Sequence, residues 1–223
     1  MKINEYFKHI YCINLDRRPD RWKQAQTEFK KLGIENDVIR WPGVENPNGN
    51  LGCTLSHLNL IKKCKEDGLD NVLIFEDDVL FVETDMIPLE EAFKDLKSIG
   101  KWDLFYIGVT MCPRSGRFMR ITDRILKTNF AFTTHAYAAN AQAFDPMIEA
   151  WNRSISGGYN IVDTVLDNHI VKKRGQSFVM DPIYAIQQPG LSNITNIVSE
   201  TYEWMIKDFN TVKNKSGVNL IIK

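Results

Sequence analysis

The stretch Val72-Leu73-Ile74-Phe75-Glu76-Asp77-Asp78-Val79 constrains this chain more than any other. Four apolar residues run into three consecutive carboxylates, and an apolar stretch resumes at once. A short apolar run without alternation reads as a strand buried on both faces, as in a parallel sheet between helices. Three adjacent acids at its end repel one another, and burying them unpaired costs several kcal/mol or shifts their protonation. A divalent cation that prefers oxygen ligands, magnesium or manganese, relieves that cost. Along an extended chain Glu76 and Asp78 point to one side and Asp77 to the other. That gives an acid-x-acid pair able to share a metal, with a third carboxylate left to accept a hydrogen bond. The same triplet also reads as a solvated turn closing a core strand.

The chain has 223 residues, enough for one α/β domain that buries roughly 70–75% of its unfolded surface. Lys plus Arg and Asp plus Glu both number 28. Zero net charge removes the electrostatic attraction on which non-specific nucleic-acid binding depends, so no nucleic-acid partner is expected. No run approaches the ~18 apolar residues of a membrane span. The start, Met1-Lys2-Ile3-Asn4-Glu5, lacks the apolar core of a signal peptide, and a cytoplasmic protein is expected. The four cysteines contain no Cys-x-x-Cys pair, so no zinc site is expected. Cys53 and Cys64 fall on one face of one helix about 16 Å apart, too far for a disulfide, and read as small buried hydrophobes.

The order of elements is regular in the first half. His9 to Leu15 reads as a strand, with Asp16 as a helix cap and Pro19 in the first turn. Trp22, Ala25, Phe29 and Leu32 recur at helical spacing until Gly33, and Asp37 to Trp41 is a second strand. Thr54 is a candidate cap for a helix carrying Leu55, Leu58, Ile61 and Cys64, ended by Gly68 before the acid-terminated strand. Strand and helix alternating with short joins predict a parallel sheet with right-handed crossovers. A helix from Pro88, a strand over Trp102–Gly108, a loop or hairpin over Thr110–Lys127 and a strand within Phe130–Asn140 follow. Helices over Ala141–Asn152 and Ile161–Lys172, a strand at Ser177–Met180 and a last helix near Glu200–Phe209 complete one domain.

In open α/β sheets ligands bind at the carboxyl ends of the strands, where the acids and Asn14 both stand. No glycine-rich phosphate loop and no Gly-x-Ser-x-Gly elbow follows any strand. A nucleotide diphosphate held through a metal fits what remains.

Four motifs, in order, carry a resemblance. Ile13-Asn14-Leu15-Asp16-Arg17-Arg18-Pro19-Asp20-Arg21 resembles the opening motif of glycosyltransferase family 25. Gly52-Cys53-Thr54-Leu55-Ser56-His57-Leu58 is similar to its Gly-Cys-x-x-Ser-His helix start, and Leu73 to Val79 to its Glu-Asp-Asp motif. Trp102 to Gly108 matches its next strand; beyond Gly108 the similarity thins to Ala136-Tyr137-Ala138, Val162-Asp163 and Pro189 to Ile194. The resemblance implies a GT-A type, Rossmann-like, mostly parallel sheet flanked by helices. It also implies a UDP-sugar donor, galactose foremost, and a manganese-dependent (or magnesium-dependent) inverting transfer.

The implied roles follow. Asp78, with Glu76, holds the metal, and Asp77 or Glu76 accepts hydrogen bonds from ribose or uracil. Asn14, Arg17 and Ser56 sit where the donor nucleotide belongs, and His57 contacts the donor or orients its loop. Asp163 is the candidate base for the acceptor hydroxyl, with Asp167 one turn on as the alternative; as a first-turn acid, Asp163 also simply suits the helix dipole. His135 and Tyr137 are candidates for the acceptor side. Family members with a late histidine ligand have no counterpart here, because no histidine follows His169; Gln187 or Gln188 stands near that position.

The acceptor is expected to be a lipooligosaccharide-type glycan or hydroxylysine of a collagen-like protein. Arg114, Arg117, Arg120, Arg124 and Lys127 form a basic segment that either steers an anionic acceptor or is a solvated loop. Two other functions compete: an inactive binding protein on the same fold, and a metal-dependent nucleotidyltransferase or phosphohydrolase. The latter needs further acids from other strands, and only Asp103 is near one.

Overall fold

The computed structural model describes residues 1–191, 198–199 and 203–218. A short helix α1 (Ile3–Tyr6) leads into β1 (Ile10–Asn14), which is buried along its whole length. Helix α2 (Pro19–Lys31), strand β2 (Val38–Pro42), helix α3 (Gly49–Glu66) and strand β3 (Asn71–Glu76) follow. β1 pairs in parallel with β2 on one side and β3 on the other, placing Ile13 opposite Glu76. Beyond the acids, β4 (Val79–Phe81) leaves this sheet, helix α4 (Met86–Ile99) covers it, and β5 (Leu104–Tyr106) rejoins it. β6 (Phe118–Arg120) and β7 (Ile125–Thr128) form an antiparallel hairpin.

Strand β8 (Ala136–Asn140) and helix α5 (Ala141–Ser156) come next, then α6 (Val162–Leu166), a π-helical segment Asp167–Val171 and α7 (Lys172–Arg174). β9 (Ser177–Met180) returns to the sheet, and β10 (Ala185–Gln187) pairs antiparallel with β4. The short strands β11 (Gly190–Leu191) and β12 (Val198–Ser199) pair with each other, and helix α8 (Glu203–Lys215) closes the described chain.

The main sheet has the order β2-β1-β3-β8-β5-β9-β7-β6. β8 opposes both its neighbours β3 and β5, and β7 opposes β9 and β6, while β5 and β9 are parallel. Six of the eight strands therefore share one direction, and the sheet is mostly parallel. The mostly parallel expectation holds; which strand is reversed, β8 at its centre, is not readable in advance, because apolar periodicity reports burial and not direction.

Period-2 alternation divides the strands between two apolar layers. Val72 and Ile74 of β3 pack with α3, α5, α6 and α8, whereas Leu73 and Phe75 pack with α1, α2 and α4. The alternation continues past the core: Glu76 emerges on the α3 side and Asp77 on the α2 side.

Several local expectations are corrected. Asp16 does not cap α2; its carboxylate accepts from Arg40 Nη2 at 2.7 Å, and the helix starts at Pro19 after Arg18 with no side-chain cap bond. Thr54 lies inside α3, which begins at Gly49 with Asn48 accepting from the Leu51 N–H; Thr54 Oγ1 donates to the Asn50 and Asn160 carbonyls. The expected helix Ile161–Lys172 is broken by the π-helical segment. The basic segment is not beside the acids. Its hairpin is the far edge of the sheet, with β7 and β6 four and five strands from β3 and so roughly 19–24 Å away. There Arg120 pairs with Asp181 and Arg124 with Glu91. Ser192, Asn193 and Ile194, and the start of the last expected helix at Glu200–Tyr202, lie outside the described residues. Among the described residues, no helix is long and apolar enough to cross a membrane.

Candidate active site

A cleft opens where β1 and β3 end against α2 and α3. It contains about 790 Å³ of empty space, solvent at its mouth included. Asn14, Arg17, Arg21, Cys53, Ser56, His57, Gln187 and all three acids line it.

The three carboxylates go three ways. Asp77 accepts from Arg21 Nη1 at 3.0 Å and from Asn14 Nδ2 at 2.7 Å. Burial still raises its carboxyl above the usual range, although Asn14 and Arg21 work against it. Glu76 Oε1 lies 3.3 Å from His57 Nε2 and accepts from Thr134 Oγ1 at 2.5 Å. Burial opposes its ionisation, but the His57 and Thr134 contacts outweigh it and hold Glu76 below its ordinary range. Asp78 is served worst. Gln187 Nε2 reaches one oxygen at 3.2 Å, and Oδ1 is buried with no hydrogen-bond partner. Burial, then Glu76 and Asp77, push its carboxyl up to about 7. A buried, unpartnered carboxylate oxygen in an open cleft suits a hard divalent cation, so Asp78, with Gln187 and Glu76 nearby, is a fitting holder for one.

The first strand supports the acids rather than a ligand. Asn14 is 1% exposed. Its Nδ2 donates to Asp77 and to the Arg18 carbonyl, and its Oδ1 accepts from Arg40 Nε at 2.7 Å. Its role is to cross-link β1, β2 and the acid turn. Arg17 stands at the rim, 55% exposed, 3.3 Å from Glu45. Ser56 Oγ donates to the Gly52 carbonyl and accepts from the Val44 N–H at 2.8 Å, tying the loop after β2 to α3. Only glycine permits that approach at position 52, because a Cβ there meets the Val44 carbonyl at 2.7 Å.

The acceptor candidates change. His135 and Tyr137 are fully buried, so neither can touch an acceptor. Tyr137 OH sits 3.0 Å from His57 Nδ1 and orients that ring, while His135 lies between Thr133 Oγ1 and the Ala185 carbonyl. Burial lowers His135 to about 4, so it stays neutral. Gln188 points away from the acids, donating to the Val79 carbonyl at 2.9 Å; Gln187 is the residue facing Asp78. Asp167 is completely buried, accepts from the Ala131 N–H at 3.0 Å and pairs with Lys172 at 2.6 Å, which makes it a structural carboxylate.

Asp163 is different. It is half-buried in the first turn of α6 and accepts the Thr133 N–H at 3.0 Å. The adjacent Thr134 binds Glu76, so consecutive residues connect the two carboxylates. Thr133 has φ +68°, a conformation that costs a β-branched residue energy and clusters at functional sites.

Arg21, Cys53 and Thr134 were not among the residues expected from sequence. Arg21 had a signal: it lies four and eight residues before Ala25 and Phe29, so a cation continues the buried stripe of α2 toward the strand ends. Thr134 had none, because its reach depends on the backbone of Thr133.

A family model described as glycosyltransferase family 25 (LPS biosynthesis protein) matches residues 45–156, half of the chain. The chain belongs to glycosyltransferase family 25. The matched segment holds the Gly52–His57 helix start and all three acids, while Asn14 and Asp163 lie outside it. Among relatives, a glycosyltransferase 25 family member of Aedes aegypti is 26% identical over 168 residues, covering 63% of this chain and 28% of that protein. A human relative named inactive glycosyltransferase 25 family member 3 is 27% identical over 160 residues, covering 59% and 27%. The chain thus matches little more than a quarter of these family 25 proteins. A solved glycosyltransferase involved in glycosylation of the major capsid of PBCV-1 superposes with a TM-score of 0.50 at 12% identity, covering 78% of this chain and 81% of that one. That likeness concerns the fold, a GT-A-like Rossmann sheet.

Proposed function

We propose that this family 25 chain transfers a sugar, galactose foremost, from a UDP-sugar to a hydroxyl acceptor with inversion, using manganese or magnesium. The observation that carries the reading is the buried, unpartnered Asp78 Oδ1 inside a cleft lined by two arginines. Asp78, supported by Gln187 and Glu76, would hold the cation, which supplies positive charge against the departing diphosphate. Arg21, fixed by Asp77, adds a positive charge whose position is set by α2 and β1 together. Arg17 exchanges its weak surface pairing with Glu45 for a donor phosphate.

On the other side Asp163 takes the proton of the acceptor hydroxyl. As that oxygen bonds to the anomeric carbon, the bond to the diphosphate oxygen breaks and UDP leaves from the opposite face. Thr133 and Thr164 donate backbone N–H groups to Asp163 at 3.0 and 2.6 Å, holding its side chain in place. The acceptor classes are a lipooligosaccharide-type glycan or hydroxylysine of a collagen-like protein.

Relatives whose names call them inactive supply one specific reason for a second reading, a protein that binds without transferring. UDP release from a panel of UDP-sugars, with and without manganese and with Asp78→Asn as control, separates the two. Manganese-dependent release from one donor, lost in the variant, supports transfer. Absence of release with UDP still bound by calorimetry supports binding without transfer, and absence of both overturns the transferase reading.

A further inference from the structure

One cluster in the cleft wall has a chemistry that a magnesium or manganese site does not use. Cys53 Sγ, a His57 ring nitrogen and a Glu76 carboxylate oxygen all lie within 4.8 Å of one another. Cys53 and His57 are four residues apart on α3, so both project from one helix face, and Glu76 ends the strand beneath them. His57 Nδ1 is engaged by Tyr137 OH at 3.0 Å while Nε2 faces Glu76 at 3.3 Å. A ring nitrogen held from behind by a hydrogen-bonding partner, with the other aimed at a carboxylate, is the arrangement that orients metal-binding histidines. Bond lengths to zinc of about 2.0–2.3 Å put tetrahedral ligand atoms roughly 3.4–3.6 Å apart, so Cys53 needs only a modest side-chain movement to complete the set.

We infer that Cys53, His57 and Glu76 form a binding site for a borderline-soft divalent cation such as zinc, with the cleft open to its fourth ligand. The ligand set decides the metal. Thiolate and imidazole favour zinc, whereas manganese and magnesium favour the oxygens around Asp78. Cysteine spacing along the sequence gives no hint of it, since the three ligands come from one cysteine, one helix turn and a neighbouring strand. The two sets share Glu76 and the same cleft, so zinc at the thiolate site competes with oxygen-ligated metal and donor. This last consequence rests on the transferase reading; the zinc site itself does not.

The test is a titration of the reduced, metal-free protein with cobalt(II) alone, followed by zinc. One equivalent of cobalt should bring up a sulfur-to-cobalt charge-transfer band in the near ultraviolet, and zinc should bleach it. The band should vanish in Cys53→Ser, a near-isosteric change, and persist in Cys112→Ser, which alters the half-exposed thiol outside the cleft. Tyr137→Phe, which removes only the hydroxyl behind His57, should keep the band and weaken cobalt binding by about 10–100-fold. Asp78→Asn should leave the band intact, so the site is scored independently of any loss of UDP-sugar turnover. Absence of the band in the unaltered protein, its survival in Cys53→Ser, or its loss in Asp78→Asn overturns the inference.

Discussion

Asp78 accepts one hydrogen bond from Gln187, at 3.2 Å, and keeps its other oxygen buried without a partner. Among the described residues no group hydrogen-bonds that oxygen, and Arg21 Nη1 stands 4.0 Å from the other. Asp78→Asn should therefore raise the melting temperature of the metal-free protein at neutral pH by a few degrees, the equivalent of about 1–2 kcal/mol. The same variant should lose manganese-dependent stabilisation. Calorimetric melting with chelator and with manganese measures both; a variant less stable than the parent in chelator would show that Asp78 is compensated after all.

The pH dependence has a definite sign. Asp78 titrates near 7 in the folded chain and near ~3.9 when unfolded, so the folded form binds its proton more tightly. This carboxyl's contribution to stability is thus fully present below about pH 4 and lost as pH rises to about 7, with no further change above. Melting curves in chelator should show the advantage of Asp78→Asn widening across that interval. Manganese affinity should rise over the same interval, because metal and proton compete for one carboxylate.

Asp163→Asn should lower acceptor-dependent transfer by about 10²–10⁴-fold in kcat with little change in donor KM. UDP binding and the slow, acceptor-independent release of UDP should persist. Equal loss of both activities would place Asp163 in the structural frame instead.

Arg21→Met should cost about 3–5 kcal/mol, because it leaves Asp77 nearly buried beside Asn14 without its cation. Arg21→Met with Asp77→Asn should recover most of that loss, and a chemical-denaturation cycle over the two positions measures the coupling.

Gly52→Ala should act on the cleft through its roof. A Cβ placed 2.7 Å from the Val44 carbonyl pushes the loop after β2 off α3, at about 1–3 kcal/mol. Donor KM should rise more than kcat falls, which steady-state kinetics on UDP release resolves.

The side of the site built by β1, β3, α2 and α3 was legible in the sequence because its parts are local. The apolar run of β3 fixes which face each acid leaves from, and the stripe of Ala25 and Phe29 on α2 carries Arg21 to the same strand ends. Asn14 and Ser56 lie where the motifs put them, yet their polar atoms serve the frame, and no spacing rule distinguishes a ligand contact from a cross-link. The other side depended on features that sequence patterns do not record. Direction in the sheet is invisible to periodicity, so the reversal of β8 went unread. With it went the burial of His135 and Tyr137, the reach of Thr134 to Glu76 and that of the Thr133 N–H to Asp163. Asp167 followed α-helical spacing on paper, but the π-helical segment seats it against Ala131 and Lys172.

Because β8 runs against its neighbours, the acid-bearing end of β3 meets the residues that enter this strand, not those that leave it. Asp163 and Glu76 are thereby spanned by a two-residue bridge, Thr133 and Thr134, anchored at one end in the sheet's hydrogen-bond ladder. Side chains alternate along that bridge, so a single insertion or deletion ahead of Ala136 would present the wrong neighbour to Glu76 and detach the Asp163 end. The distance between Glu76 and Asp163 is thus gauged by strand register.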